Sequence, residues 1–281
     1  MSQDSPHQVD LGPFAELVAR EEFDLGRACL MIAQDAYPAL VIDDGLARLD
    51  QLAQTVRARV PADAFAEQKL VALNHYLFGE LGYAGNVETY YDPRNSYLND
   101  VLERRVGIPI TLSVLYIEIG RRLDLALQGV SFPGHFLVKL RVRRGQLVLD
   151  PFAGGEPLGE SDLRERLQAT VPGASDGPLD PYLETASASQ IVARILRNLK
   201  SIHMQSGRLE AALAVLNRLL LVTPQAVPEL RDRGLVYAKL DCFRPALADL
   251  QNYLRRAPDA LDAAEMRAHV IDLKAKVARL N

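Results

Sequence analysis

His135 and Asp150 are the two residues whose types and settings are best suited to joint chemistry in this chain. His135 lies in FPGHFLVKL and Asp150 in LVLDPFAGG, two short stretches in which apolar residues recur at alternate positions. A carboxylate beside an imidazole fixes the ring's tautomer and raises its basicity, which is what activation of a nucleophile requires. Thr111 and Ser113, in the first turns of an apolar helix, are the hydroxyls such a base could serve. The same pair would serve as a polar seam between two strands, and the residues alone leave both readings open. No His-x-x-x-His or Cys-x-x-Cys spacing occurs, so no metal and no cofactor is expected.

The elements that must position these groups are legible in outline. Period-two alternation predicts strands over His135–Val142 and Gln146–Asp150, with the Phe136, Val138 and Leu140 side on a helix and His135 on the less apolar face. A two-residue loop at Arg144-Gly145 sets Asp150 opposite Lys139. A four-residue loop at Arg141–Arg144 sets it opposite His135. Pro109 suits the first turn of a helix, where its missing N–H costs nothing. The helix it opens, about Ile110–Leu123, is apolar on nearly every face and is the expected axis of the scaffold. Before it, Asn95-Ser96 is placed to cap a short helix, Tyr97–Arg105.

The flanking segments read as helical. Three- and four-residue apolar spacing predicts two helices between Pro13 and Tyr37, a third at Asp44–Arg59 and a fourth at Ala64–Leu81. His75, on the fourth, reads as a packed or surface residue. A further short helix, Ser161–Gln168, is expected to be capped by Ser161. Residues 1–12 read as a flexible tail, and Pro172–Pro181 is the clearest linker, dense in Pro, Gly, Asp and Ser. The expected division is therefore a helical region plus core over 13–171, a linker over 172–187, and a helical region over 188–281. In the last of these, GRLEAALAVLNRLLLVTP matches DCFRPALADLQNYLRRAP at an offset of 34, aligning Ala212 with Ala246, Leu216 with Leu250 and Pro224 with Pro258. That period with a closing proline resembles tetratricopeptide repeats. The fold class expected is α+β, predominantly α, with a small antiparallel sheet.

Composition narrows the function. Apolar residues make up 48% of the chain and charged residues 24%, the profile of a soluble globular protein, and no apolar run approaches the length of a membrane span. The N-terminus has no apolar signal region. Cys29 and Cys242 lie far apart, so a reducing cytoplasm is expected rather than a disulfide framework. Residues 1–100 carry 7 Lys/Arg against 16 Asp/Glu. That balance argues against nucleic acid as a partner, because phosphate neutralisation needs clustered positive charge.

The stretches NSYLNDVLERRVGIPITLSVLYIEIGRRL, FPGHFLVKL and LDPFAGG, with helices before and tetratricopeptide-like repeats after, resemble the SirB1 family of bacterial proteins. The central stretch, residues 85–155, is similar to the transglutaminase-like core. There a helix-borne cysteine is followed by a strand histidine in a Gly-His-aromatic context, matched here by Gly134-His135-Phe136, and by an aspartate before proline, matched by Asp150-Pro151. The resemblance implies a nucleophile near Pro109–Thr111, where a helix N-terminus lowers a thiol's pKa. No cysteine is there. The chain is therefore expected to be a catalytically inactive, regulatory transglutaminase-like protein that binds a protein or peptide. Asn95, Tyr97, Asn99, Pro109 and Phe136 would line the remnant cleft beside His135 and Asp150, and the repeats would add a second surface. The alternative is an amide hydrolase or acyl transferase with His135 as base, Asp150 orienting it, and Thr111 or Ser113 as nucleophile.

Overall fold

The computed structural model describes residues 10–143, 145–171, 173 and 177–279. Most of the expected tail, Arg144 in the hairpin, and part of the Pro172–Pro181 linker lie outside the described residues. In chain order come α1 (Gly12–Val18), α2 (Leu25–Ala33), α3 (Ile42–Arg57) and α4 (Ala66–Asn74), which runs on as a π-helical turn over His75–Glu80. Next are β1 (Ala84–Gly85), a 3-10 turn at Pro93–Asn95, α5 (Leu98–Arg104), β2 (Val106–Gly107) and α6 (Pro109–Arg122). Then follow β3 (Leu127–Val130), β4 (Leu137–Val142), β5 (Gly145–Asp150), β6 (Glu156–Leu158) and α7 (Glu160–Thr170). The chain continues through α8 (Ala188–Gln205), α9 (Leu209–Val222), α10 (Val227–Lys239), α11 (Phe243–Arg256) and α12 (Ala263–Arg279).

These elements form two compact units: Glu22–Ile195, and the described residues up to Glu21 together with those from Leu196 onward. In the first, α6 is the axis. Pro109 occupies its first turn, and Ile110, Leu112, Val114, Leu115, Tyr116 and Ile119 are all buried. Helices α2, α3 and α5 and strands β3 and β4 pack around it, which is why the helix has no polar stripe. Its one interior carboxylate, Glu118, is matched by Arg122 at 2.7 Å and Arg121 at 3.0 Å.

The sheet is larger than the two strands expected. β3-β4-β5-β6 form an antiparallel sheet in that order, and β1 pairs with β2 in a separate parallel ribbon. The β4–β5 register is neither of the two alternatives. Val142 pairs with Gly145, Leu140 with Leu147 and Val138 with Leu149, so Asp150 stands opposite Leu137. The face assignment also needs correction. The side bearing His135 is not the open one throughout, because Leu137 and Val148 are buried in a second core with Phe132, Leu163 and Leu167, the last two from α7. β4 is therefore covered on both faces at its start.

Two caps differ from expectation. Asp162, not Ser161, accepts the Gly159 N–H at the start of α7 (2.8 Å). Asn95 does not cap α5, whose N-cap residue is Tyr97 and makes no side-chain cap bond.

In the second unit, α9 and α11 are displaced by 34 residues at both ends. Their equivalent residues Ala212 and Ala246, and Leu216 and Leu250, are fully buried. Ion pairs tie the helices together: Arg197–Glu229 and Lys200–Asp232 join α8 to α10, Arg233–Asp249 joins α10 to α11, and Arg231–Asp262 joins α10 to the residue before α12.

Candidate functional site

The turn before β4 places His135. Gly134 has φ +70°, and a Cβ there would meet Thr170 Oγ1 at 2.8 Å, so glycine fits both the backbone and the space. The His135 N–H donates to the Phe132 carbonyl (3.1 Å), and Arg194 donates to the His135 carbonyl (2.8 Å). The ring then stands two residues before Leu137, the cross-strand partner of Asp150, on the same side of the sheet. This diagonal brings His135 Nε2 to 3.0 Å from Asp150 Oδ1.

Asp150 is 1% exposed. Its Oδ1 also accepts the Phe152 N–H at 3.0 Å, which starts the 3-10 turn Pro151–Ala153. Its Oδ2 accepts from Arg166 of α7 at 2.7 Å. Burial alone would push this carboxyl up, but hydrogen bonds and charge from His135 and Arg166 outweigh it and hold it below its ordinary value. An ionised Asp150 is an acceptor only, so Nε2 of a neutral His135 must donate to it and Nδ1 carries the lone pair. Nδ1 has no hydrogen-bond partner among the described residues, and the side chain is 19% exposed, with Phe152 edge-on to the ring at 5.8 Å. The geometry is that of a base or hydrogen-bond acceptor with one nitrogen free.

The turn after Asp150 is clamped from the helical side. Gly155, at φ +75°, donates its N–H to the Asp150 carbonyl (2.8 Å). Asn74 Nδ2 donates to the Gly155 carbonyl (2.9 Å), and Tyr116 donates to Asn74 Oδ1 (2.5 Å). Arg166, Phe152, Asn74 and Arg194 are site residues that pattern reading missed. The Leu163 and Leu167 spacing places Arg166 beside the apolar stripe of α7, but nothing local ties that helix to Asp150.

The candidate hydroxyls are elsewhere engaged or enclosed. Thr111 is 1% exposed; its Oγ1 donates to the Asn95 carbonyl (2.6 Å) and accepts the Ile108 N–H (3.2 Å). Ser113 is 0% exposed, and its Oγ has no partner among the described residues. Neither is hydrogen-bonded to His135. Asn95, Tyr97, Pro109 and Phe136 are buried too. Asn95 Nδ2 donates to the carbonyls of Thr89 (2.7 Å) and Tyr90 (3.3 Å), stapling the 86–91 loop. Tyr97 packs edge-on against Tyr37. Asn99 is half-buried, and its Oδ1 has no partner among the described residues. Cys29 is buried in α2, where burial, then Glu118 and Asp24, push its thiol well above the ordinary range. Cys242 is exposed at the start of α11. No cysteine stands at the start of α6. Among the described residues there is no His/Cys/Asp/Glu group able to hold a metal ion, and no helix is long and apolar enough to cross a membrane.

The transglutaminase-like superfamily profile matches residues 43–197, and a tetratricopeptide repeat profile matches residues 199–270. A UPF0162 protein of Xylella fastidiosa is 43% identical over 255 residues, covering 90% of this chain and 91% of that protein. A Pseudomonas aeruginosa UPF0162 protein is 31% identical over 94% of this chain and 96% of its own length. The protein SirB1 of Salmonella typhimurium is 30% identical, over 83% of this chain and 86% of its own. Among solved structures, menin aligns with a TM-score of 0.38 at 12% identity, over 90% of this chain and 71% of that one, a likeness too weak to argue from. With a transglutaminase-like core followed by tetratricopeptide-like repeats, and these relatives along nearly its whole length, the chain belongs to the SirB1/UPF0162 family.

Proposed function

We propose that this protein is a catalytically inactive transglutaminase-like protein that acts by binding a protein or peptide partner, in a regulatory role in the cytoplasm. The observation that carries this reading is the state of the α6 start. The family's thiol is absent, and Thr111, the hydroxyl nearest the expected position, is committed to holding Asn95 and Ile108. A buried hydroxyl that already donates to a backbone carbonyl and is not hydrogen-bonded to the base is not poised for proton transfer. His135 with its free Nδ1 remains as a recognition group, able to accept a hydrogen bond from a bound backbone or side chain. The repeat unit supplies the second surface, as stacked helical hairpins do.

Affinity capture tests the reading with three proteins: the wild type, His135→Ala, and a repeat variant carrying Lys239→Glu and Lys274→Glu on exposed positions. The captured set should change in at least one variant. An identical set in all three, or a serine-directed acyl probe that labels Thr111 or Ser113 only when His135 is present, would overturn it.

A further inference from the structure

We infer that the outer part of the β3–β4–β5 face, toward the β4–β5 hairpin, is a binding site for a compact polyphosphate anion. The register pairs Gln128 with Lys139 and Arg141 with Gln146, so these four side chains stand on one face of the sheet. It is the face that α7 covers at Leu137 and Val148; further along the strands the side chains turn polar. There Gln128, Lys139, Arg141, Arg143 and Gln146 line a concavity of about 720 Å³ to which no carboxylate contributes. That volume lies within the range of small-ligand sites.

The charge here is uncompensated. Elsewhere in the same unit Arg59, Arg94, Arg122, Arg164 and Arg166 each pair with a carboxylate, while Arg48, Arg104, Arg105 and Arg194 donate to neutral oxygens and do not gather in one concavity as the cations here do. Among the described residues, Lys139, Arg141 and Arg143 pair with none, in a chain of net charge −4. Two of the three are held in place without spending their charge. Lys139 Nζ donates to the Leu183 carbonyl (2.6 Å), and the Arg143 guanidinium lies 4.4 Å from the centroid of the Phe65 ring. Gln128 Oε1 accepts from Thr185 (3.0 Å), which leaves its NH2 as the free end. The lining is therefore rich in donors and cationic, and parts of it are oriented in advance. Such a lining favours an anion with several closely spaced charges, because guanidinium and ammonium groups make their strongest hydrogen bonds to phosphate and carboxylate oxygens. Three cations within one concavity select the phosphate chain over a singly charged group.

Sodium tripolyphosphate, titrated at fixed ionic strength and followed by calorimetry and by amide NMR, tests this on the full chain. Saturable one-to-one binding is expected, with shifts centred on residues 128, 139–143 and 145–146. Lys139→Gln and Arg141→Gln should each weaken it about tenfold, the scale of a lost charge-assisted contact. Arg255→Gln, an exposed arginine on α11 without a carboxylate partner among the described residues, should leave it unchanged. Thermal melts of the variants separate loss of binding from loss of fold, and Arg143→Gln provides a further lining variant. Three results would each overturn the site: no saturation at millimolar tripolyphosphate, equal shifts with sulfate at the same ionic strength, or equal weakening by Arg255→Gln.

Discussion

Replacing Asp150 shows how much of the His135 site is built by the fold. The carboxylate is enclosed and accepts three hydrogen bonds, from His135 at 3.0 Å, Phe152 N–H at 3.0 Å and Arg166 at 2.7 Å. Asparagine has the same shape but one acceptor oxygen. Turned toward His135 and Phe152, that oxygen keeps two bonds and sets an NH2 against the Arg166 guanidinium. A bond to a charged group contributes about 1.5–3 kcal/mol. Arg166 is 34% exposed and can turn to water, so the loss lies toward the lower end, about 2 kcal/mol. Alanine removes all three acceptor contacts and leaves the part-buried His135 ring, Phe152 N–H and Arg166 without this partner, which costs about 3–5 kcal/mol. Urea unfolding followed by far-ultraviolet circular dichroism and tyrosine fluorescence measures both, since the chain has no tryptophan. The pH dependence adds a sign. Because Asp150 is held below its ordinary value, its ionised form stabilises the fold above the unfolded pKa of about 3.9, and that contribution drains as pH falls through the lower folded pKa. The gap between wild type and Asp150→Asn should therefore be constant near neutrality and narrow below about pH 4. Variants within about 0.5 kcal/mol of wild type, or a gap that widens in acid, would refute the enclosed, triply bonded carboxylate.

Thr111→Val keeps the shape but leaves the Asn95 carbonyl and the Ile108 N–H only their 3.4 Å bond to each other, and should cost about 1 kcal/mol by urea unfolding. Gly155→Ala and Gly154→Ala separate conformation from space. Both residues have positive φ, but only at Gly155 would a Cβ strike a neighbour, Asn74 Oδ1 at 2.5 Å. Gly154→Ala should lower stability by about 1–2 kcal/mol, and Gly155→Ala by about 1–3 kcal/mol more in the same melts. Leu216→Ala and Leu250→Ala, equivalent and fully buried, should each cost about 2–5 kcal/mol, with losses within about 1 kcal/mol of each other by urea unfolding.

What the sequence made legible was whatever is written in nearest neighbours. The 34-residue offset, the proline that opens α6 and the all-apolar helix behind it survive because each is a local signal of propensity or period. The β4–β5 register did not survive. Arg141, Arg143 and Arg144 suit several turns equally, and a two-residue slip, which keeps every side chain on its face, separates the observed pairing from each of the two considered. β3 and β6 are too short to announce themselves; each finds its place only by pairing with a longer neighbour. Asn95 was misplaced for a related reason. Asn-Ser before an apolar run signals a helix cap, but the loop at 86–91 folds back over it and competes for the same amide. Arg166 reaches Asp150 through the packing of α7 on the sheet, a long-range fact with no local trace.

The survival of a histidine–aspartate pair in a core without its thiol has a physical account that does not require catalysis. Asp150 Oδ1 starts the turn at Pro151 by taking the Phe152 N–H, and Oδ2 ties α7 to the end of β5 through Arg166. The backbone at the same residue takes the Gly155 N–H, and Gly155 is in turn clamped by Asn74 and Tyr116. Each of these contacts would be needed if His135 were any other residue. His135 is different: its backbone is fixed by Phe132 and Arg194, whereas its ring gives the fold a single bond and leaves Nδ1 open. The two members of the pair should therefore part company on substitution. His135→Ala should cost about 1 kcal/mol or less, the net worth of one bond at a partly exposed ring, while Asp150→Ala costs several times that. If His135 proved as costly as Asp150 in the same urea series, its ring would be part of the scaffold, and the case for it as a recognition group would fall.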